Sequence, residues 1–340
     1  MTQPDPSRLL EVGMGFMASK TVLSAVDLGL FTALGDRAMT AEELRLALGL
    51  HPRAVPDFTD ALVALGFLER DGDGTAARYR NTALTATFLD RNKPSYLGGI
   101  LEMSNDRLYP FWGGLSTALK TGIQQNESAH GQKPLFDVLY QDEARLEQFI
   151  AAMAAISGPN VDALAEKFDF SRYKTLCDVG GASGRLAIAV ARRHSHMNCL
   201  TVDLPVVEPI AQRAIKKAGL EARVKTGVCD FFAAPLPKAD VITMGLILHD
   251  WDLPKKMRLI RAAYEALPKG GAFIVVENLI DDARRSNVFG LMMSLNMLIE
   301  TGAGFDYSGA DFAGWCKEVG FTKCETMHLA GPASAGIAYK

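Results

Sequence analysis

The sequence lacks the features that mark secreted and membrane-spanning proteins. Its 5 cysteines are odd in number and form no Cys-x-x-Cys pair, so a reduced protein with buried thiols is the simplest interpretation. The N-terminus lacks a basic stretch followed by an apolar core, so we expect no signal peptide. No apolar run approaches the ~20 residues of a membrane helix. We therefore expect a cytoplasmic protein without a membrane partner.

An excess of either charge is also missing. The formal net charge is -3, from 36 lysines and arginines against 39 aspartates and glutamates. Neither nucleic acid nor an anionic membrane is therefore indicated as a global partner. What the chain does have is 48% hydrophobic residues over 340 positions, enough for about two domains with sizeable cores.

The N-terminal region has the pattern of a winged helix. Apolar residues recur at helical spacing between residues 9 and 35. Thr40 and Glu43 form a capping box at the start of the next helix. A third helix and a β-hairpin complete the pattern: about Pro52 to Leu65, then Phe67–Glu69 and Arg78–Arg80.

From about Tyr173 the pattern changes, after a mostly helical stretch over residues 94–170. Short β-branched or apolar runs now alternate with helical segments, which predicts an α/β domain with a parallel sheet covered by helices on both faces. The predicted strands are Thr175–Val179, Cys199–Asp203, Val224–Val228, Val241–Met244 and Phe273–Glu277.

A glycine-rich loop, Asp178–Gly184, joins the first of these strands to a helix. Glycines let the backbone turn sharply and let a ligand approach closely. Asp203 ends the second strand, where a carboxylate can accept hydrogen bonds from ribose hydroxyls. Arg185 stands where a dinucleotide fingerprint needs glycine, and Ala182 is the one departure from a D-x-G-x-G-x-G pattern. A plain tight turn remains the alternative for the loop alone.

Five short segments occur in the order found in small-molecule O-methyltransferases of the caffeate and acetylserotonin type. They are Asp178–Gly184, Val202–Pro205, Cys229–Phe232, Leu248–Trp251 and Leu267–Gly271. The likeness covers nearly the whole chain, and the full set is specific although each segment alone is not. The resemblance implies an α/β fold: a Rossmann-like class I methyltransferase sheet with an N-terminal α-helical winged-helix dimerisation domain.

The resemblance also implies a division of the chain and a set of partners. Residues 1–100 would form the dimerisation domain of a homodimer, 101–172 a helical linker region contributing to the acceptor pocket, and 173–340 the catalytic domain. The implied cofactor is S-adenosyl-L-methionine, and the implied acceptor is a small, mostly aromatic secondary metabolite. The residues assigned to the cofactor are Asp178, Gly180, Gly181, Gly184, Asp203, Leu204, Asp230, Phe231 and Trp251.

Proton transfer is assigned to His249, which follows the fourth strand. Histidine is the side chain best suited to accept a proton near neutral pH, and a phenol of pKa near 10 is a poor nucleophile until it loses its proton. Glu277 ends the neighbouring strand and could hold the imidazole. The family has a second acid, whose place is taken here by Asp306. The methyl donor is already activated, so no metal is expected.

The acceptor pocket is assigned largely to a methionine-rich helix near residues 289–299. Methionine is flexible and suits irregular aromatic ligands, although such a stripe also occurs in ordinary cores. The residues assigned to the acceptor are Trp112, Phe136, Met153, Asp250, Met293, Asn296 and Met297.

Two other functions stay open at this point. A nitrogen or carbon acceptor, or another reaction at the same site, is compatible with Ala182, Asp306 and Gly245, the last of which stands where many relatives have lysine. A winged-helix DNA-binding regulator is disfavoured, because a recognition helix should carry basic residues and the segment at 51–65 offers only Arg53.

Overall fold

The computed structural model describes residues 4–131, 133 and 141–340. By its internal contacts the chain divides into two compact units, Met1–Pro110 and Phe111–Lys340. Each unit is described by itself below.

The first unit consists of short helices and a small three-stranded antiparallel sheet in the order β1-β3-β2. The strands are β1 Met39–Thr40, β2 Leu68–Asp71 and β3 Arg78–Asn81. The α-helices, α1 to α7 in chain order, are Ser7–Gly13, Gly15–Asp27, Leu30–Leu34, Ala41–Leu48, Val55–Ala64, Ala83–Phe88 and Gly98–Met103.

The predicted capping box is present at the start of α4. The Glu43 amide donates to Oγ1 of Thr40 at 3.2 Å, and the Thr40 amide donates to Oε2 of Glu43 at 2.7 Å. The predicted hairpin is also present, but Met39 and Thr40 pair with its second strand and extend it to three strands. Two residues are too few to give an alternating pattern, so the sequence offered no signal for β1.

The most N-terminal helices, α1 and α2, leave many apolar side chains exposed. None of the residues of α1 is buried, and Leu9 and Val12 are 74% and 63% exposed. Among the described residues one segment, Ser7–Asp27, is long and apolar enough to cross a membrane by length and composition alone, with 21 residues and a mean hydropathy of 1.3. The expectation that no apolar stretch reaches this length was therefore wrong, because the two helices are nearly continuous.

The second unit is built on a seven-stranded sheet in the order β6-β5-β4-β7-β8-β10-β9. The first five strands of this order run parallel, whereas β10 is antiparallel to both of its neighbours. The sheet is thus mixed, which corrects the expectation of a purely parallel one. The strands β4 to β10 are Thr175–Val179, Asn198–Asp203, Val224–Val228, Val241–Gly245, Ala272–Glu277, Lys323–His328 and Ser334–Tyr339.

Helices cover both faces of this sheet and bury its apolar side chains in two clusters. One cluster includes Val179, Ile242 and Phe273, and the other includes Leu176, Val241 and Ile274. Every residue of β8 is buried, as expected for a central strand covered on both faces. The α-helices α8 to α15 are Tyr109–Trp112, Leu115–Thr121, Glu143–Lys167, Arg185–Arg193, Glu208–Ala218, Leu253–Ala266, Val288–Glu300 and Gly309–Val319.

Candidate active site

The glycine loop after β4 has the tight geometry that its sequence predicts. Gly180 has φ +67°, and a Cβ atom there would lie 2.6 Å from Cδ1 of Ile247. A Cβ atom at Gly181 would lie 2.1 Å from Oγ1 of Thr201, so any side chain there would collide with β5. Ala182 has φ +49°, a left-handed conformation that favours glycine. Gly184, with φ +72°, caps the start of α11.

Asp178 lies beneath this loop rather than beside open space. Its side chain is buried, and Oδ1 accepts a hydrogen bond of 2.7 Å from the hydroxyl of Thr243. Burial raises the pKa of the Asp178 carboxyl to about 7. The carboxyl lies directly under Gly181, so it can support the loop from below.

Asp203 lies at the end of β5, and each of its carboxylate oxygens accepts a backbone amide. Oδ2 accepts the amide of Ala182 at 2.9 Å, and Oδ1 accepts the amide of Leu204 at 2.8 Å. Burial raises the pKa of Asp203, against the effect of these two hydrogen bonds. Each oxygen has a further lone pair, so the carboxylate can still accept from a ligand hydroxyl.

Aromatic side chains continue the same edge of the sheet after β6. Asp230 is exposed, and its Oδ1 accepts the amide of Phe232 at 2.9 Å. Cε1 of Phe231 lies 3.9 Å from where a Cβ atom of Gly180 would be, and its ring centroid is 6.4 Å from that of Trp251. Within the part of the chain that the structure describes, the buried Nε1 of Trp251 has no hydrogen-bond partner. The glycine turn, the acid of β5 and these rings fit an adenosine group, because they offer close backbone approach, a ribose acceptor and apolar walls.

His249 lies in a short turn, Leu248–Asp250, beyond the end of β7. Its ring is buried among three carboxylates. Nδ1 is 3.5 Å from Oδ1 of Asp306 and 3.8 Å from Oε2 of Glu277, while Nε2 is 3.5 Å from Oδ1 of Asp250. These distances are those of ion pairs rather than of well-formed hydrogen bonds. The three assigned catalytic residues are therefore brought together.

Glu277 also fixes the backbone that carries the histidine. Its Oε1 accepts the amides of Leu248 and His249 at 3.1 Å and 3.4 Å. This leaves Oε2 facing the imidazole. One carboxylate thus positions the turn with one oxygen and faces the ring with the other.

Asp306 reaches the imidazole from the loop between α14 and α15. Its amide donates to Oγ of Ser294 at 3.1 Å, and its carboxylate is buried without a hydrogen-bond partner among the described residues. A parallel bridge between Ile280 and Ser308 holds this loop beside the segment that follows β8. The shorter aspartate therefore still approaches His249.

The charges of the cluster act on one another strongly. Burial opposes protonation of His249, but Glu277, Asp250 and Asp306 together raise the pKa of His249 to about 10. Burial raises the pKa of Glu277 to about 7, an effect that His249 opposes. Because His249 and Glu277 act on each other this strongly, their protonation is coupled.

The cluster could also hold a metal ion by geometry. His249, Glu277 and Asp306 each offer one ligand atom, and these atoms lie within 4.8 Å of one another. Transfer of a methyl group from an activated donor requires no Lewis acid, so the arrangement is explained equally well by proton transfer.

Comparison with models of protein families gives two matches along the chain. Residues 112–322 match the model of the O-methyltransferase domain, and residues 10–91 match that of the O-methyltransferase dimerisation domain. The chain belongs to the O-methyltransferase family. The class of enzyme and the fold class inferred from the sequence are thereby confirmed.

This O-methyltransferase has relatives along its whole length. It is 39% identical to the tetracenomycin polyketide synthesis 8-O-methyl transferase of Streptomyces glaucescens, covering 98% of this chain and 97% of that one. It is 38% identical to an N,N-dimethyltransferase of Streptomyces rimosus, covering 92% and 90%. The crystal structure of human N-acetylserotonin methyltransferase, solved in complex with S-adenosylmethionine, superposes with a TM-score of 0.90 at 27% identity, covering 100% and 99%.

The residues assigned to the acceptor of this O-methyltransferase are only partly brought together. Nε1 of Trp112 donates to Oδ1 of Asn296 on α14 at 2.9 Å. Met297 is buried and Met293 is half-buried on the same helix. Met153 is half-buried on α10. Phe136 lies outside the described residues.

Lys256 is fully buried on α13 and was not among the site residues predicted from the sequence. Its Nζ donates to the carbonyl oxygens of Trp251 and Phe305 at 2.5 Å and 2.9 Å. A signal was available, because Lys256 shares helical spacing with the buried Leu259 and Ile260. A lysine in line with an apolar stripe points inward.

Proposed function

We propose that this O-methyltransferase transfers a methyl group to a hydroxyl of a small aromatic, polyketide-like metabolite, with His249 as the general base. The observation that carries the proposal is the buried imidazole of His249, which faces Glu277 and Asp306 on one side and Asp250 on the other. The imidazole lies at the same edge of the sheet as the glycine loop and Asp203, so base and cofactor residues can serve one reaction.

S-adenosylmethionine, the cofactor of the family, supplies when bound a methyl group on a positively charged sulfonium. We assign the ribose hydroxyls to Asp203, whose oxygens retain acceptor capacity. The adenine is assigned to Asp230, Phe231 and the Trp251 ring. Gly180, Gly181 and Gly184 let the backbone approach the ligand, Asp178 holds their loop from below, and Leu204 orients the Asp203 carboxylate.

The proton path follows from the arrangement of the carboxylates. Glu277 and Asp306 both face Nδ1, so they favour the tautomer that carries its proton there and leaves Nε2 free. The acceptor hydroxyl then passes its proton to Nε2 as its oxygen becomes the nucleophile. Asp250 lies beside Nε2 and can orient the hydroxyl or steady the imidazolium that forms. No other proton acceptor is needed.

The nature of the acceptor is inferred from the half-buried side chains around Asn296. The indole of Trp112 is fixed by its hydrogen bond to this amide, and Met293 offers an adaptable apolar surface on the same helix. Flat aromatic molecules suit such walls, and the printed name of the Streptomyces glaucescens relative refers to polyketide synthesis. Met153 and Phe136 are proposed to complete this pocket.

The proposal is tested with labelled S-adenosylmethionine and a panel of phenols, naphthols, quinone-type polyketides and indoles. We expect transfer of label to at least one hydroxylated polycyclic aromatic compound, and loss of that transfer when the same hydroxyl is replaced by hydrogen. Label transfer that survives removal of the hydroxyl would contradict an oxygen acceptor.

A nitrogen acceptor is the second candidate, favoured by the 38% identity to an N,N-dimethyltransferase. An aryl hydroxyl and an aryl amine of the same ring system form the matched pair that separates the two. Amines need less help from a base, because an aryl amine is uncharged at neutral pH. A nitrogen acceptor therefore predicts that the amine reacts even when His249 is replaced.

We also infer that the protein is a homodimer. Residues 10–91 match a dimerisation domain, and α1 and α2 expose Leu9, Val12 and Phe16. Exposed apolar patches of this kind usually mark an interface.

A further inference from the structure

The buried ammonium group of Lys256 has no role in the proton path described above. Its side chain is 0% exposed, and among the described side chains it is the one buried lysine or arginine. A buried ammonium is costly unless it is paired and hydrogen-bonded. Its partners therefore indicate what it stabilises.

Lys256 connects the two segments that carry the acids and the base. Its Nζ donates to the carbonyl oxygen of Trp251, two residues after His249, and to that of Phe305, the residue before Asp306. Nζ also lies 3.5 Å from the centroid of the Phe305 ring, a distance at which a cation is attracted to an aromatic face. One side chain thus holds the loop of Asp306 against the turn of His249.

The charge of Lys256 matters as much as its hydrogen bonds. When His249 is neutral and ready to accept a proton, the cluster holds several carboxylates and needs a cation. Burial lowers the pKa of Lys256 to about 8, and the surrounding acids oppose this effect. The charged or titratable groups that face Lys256 are Asp250, Asp252, Glu277, Asp306 and Tyr307.

We propose that Lys256 is a positioning residue for methyl transfer, whose ammonium group fixes Asp306 beside His249 and compensates the carboxylates so that the imidazole can release its proton. This inference rests on the proposed role of His249 as the base. It adds a cation to the site and makes that cation a determinant of the pH at which the enzyme works. Without it, the carboxylates would hold a proton on His249 more tightly.

Two substitutions separate the charge of Lys256 from its hydrogen bonds. Lys256→Met removes both with little change of volume. Lys256→Gln removes the charge but keeps a donor. Lys269→Met is the matched control, because Lys269 is an exposed lysine just beyond the end of α13.

The first measurement is the pKa of His249 in the ligand-free protein, followed by NMR of imidazole carbon-13 and assigned with His249→Gln. Both Lys256 variants should raise the pKa of His249 by about one unit, because loss of a nearby positive charge favours the protonated imidazole. Lys269→Met should not move it. An unchanged His249 pKa in both variants would overturn the proposal.

The second measurement is the pH profile of kcat on the best aromatic acceptor. We expect kcat at pH 7 to fall roughly 10- to 100-fold in Lys256→Met. The rising limb of the profile, in which kcat increases with pH, should shift to higher pH. The KM for S-adenosylmethionine should not change. Lys256→Gln should show the same shifted limb with a smaller fall in kcat. A fall in kcat without a shifted limb would mean a structural role only. Full activity of His249→Gln would instead refute the proposed base, whatever the NMR result.

Discussion

His249 faces carboxylates on both sides of its ring, and this sets a condition on its use as a base. With Glu277, Asp250 and Asp306 raising its pKa to about 10, the imidazole is protonated near neutral pH unless positive charge lies nearby. Lys256 is already part of the protein that has this pKa, so the further positive charge is that of a bound sulfonium. The site is therefore expected to become competent as the pH rises and His249 loses its proton.

The first prediction concerns His249→Ala. General-base catalysis contributes about 10²–10⁴ in rate, so kcat on a phenol of high pKa should fall by this factor. Activity of the wild type should rise with pH through the apparent pKa of the cluster, and this limb should vanish in the variant. Glu277→Gln and Asp306→Asn should lose less, because an amide can still orient the ring.

The control for this prediction is the acceptor itself. A phenol whose pKa is below about 7 is largely ionised without a base, so it should partly rescue His249→Ala. Affinity for S-adenosylmethionine, measured by calorimetry, should hardly change. Full activity of His249→Ala on a phenol of high pKa would show that proximity alone drives the transfer.

The second prediction concerns Asp203, whose oxygens accept the amides of Ala182 and Leu204. Asp203→Ala should weaken binding of S-adenosylmethionine at least roughly tenfold, because a hydrogen bond to a charged group contributes ~1.5–3 kcal/mol. Asp203→Asn keeps one acceptor oxygen and should lose less. Calorimetry measures both, and equal affinity in all three proteins would remove Asp203 from the cofactor site.

At the scale of the elements, the sequence predicted best those strands that are buried in the middle of the sheet. The bounds of β4 and β6 are as expected, and β5, β7 and β8 differ by one residue at an end. The bounds and pairing of β9 and β10 were not predicted, because Lys323–His328 alternates weakly at an edge and its antiparallel pairing depends on another strand. Local patterns carry no information of that kind.

The site was predictable where it depends on strand ends and less so where it depends on loops. His249 follows β7 and Glu277 ends the neighbouring parallel strand β8, so the topology brings them together. The approach of Asp306 depends on a loop and on its bond to Ser294. The fully buried position of Lys256 could be inferred only from the face of α13 that it shares with Leu259 and Ile260.

The third prediction concerns the glycine loop as an element. Ala182 adopts φ +49°, which costs a residue with a Cβ atom roughly 1–2 kcal/mol. Ala182→Gly relieves this strain while making the unfolded chain more flexible, so stability to urea should change by less than about 1 kcal/mol. Ala182→Val should be clearly destabilising and should weaken cofactor binding.

A helical alanine provides the comparison for that change. Ala189 lies within α11, where alanine to glycine costs roughly 0.5–1 kcal/mol. Ala189→Gly should therefore be less stable than Ala182→Gly. The reverse order would mean that the loop is not strained at Ala182.

At the scale of the whole molecule, the exposed apolar surface of the N-terminal helices needs an explanation. Leu9, Val12 and Phe16 are all more than half exposed. Val12 and Phe16 lie in the segment that matches a dimerisation domain, and Leu9 directly precedes it. Burial of such side chains against a second copy removes them from water. The same segment has the length and composition of a membrane span, so the two explanations need separate tests.

The last prediction is that Leu9→Glu combined with Val12→Glu converts a dimer into a monomer of 36.8 kDa, measured by light scattering. In a symmetric interface each substitution occurs twice, so four apolar side chains are removed. Burying one such side chain contributes ~1.5–3 kcal/mol, so the dimer should lose about 6 kcal/mol or more of its association free energy. That corresponds to roughly 10⁴-fold in Kd. Leu119→Glu is the control, because Leu119 is 60% exposed on α9 in the second unit. A wild type that is monomeric and floats with phospholipid vesicles would mean that the segment meets a membrane instead, whereas a double variant that stays dimeric would place the interface elsewhere.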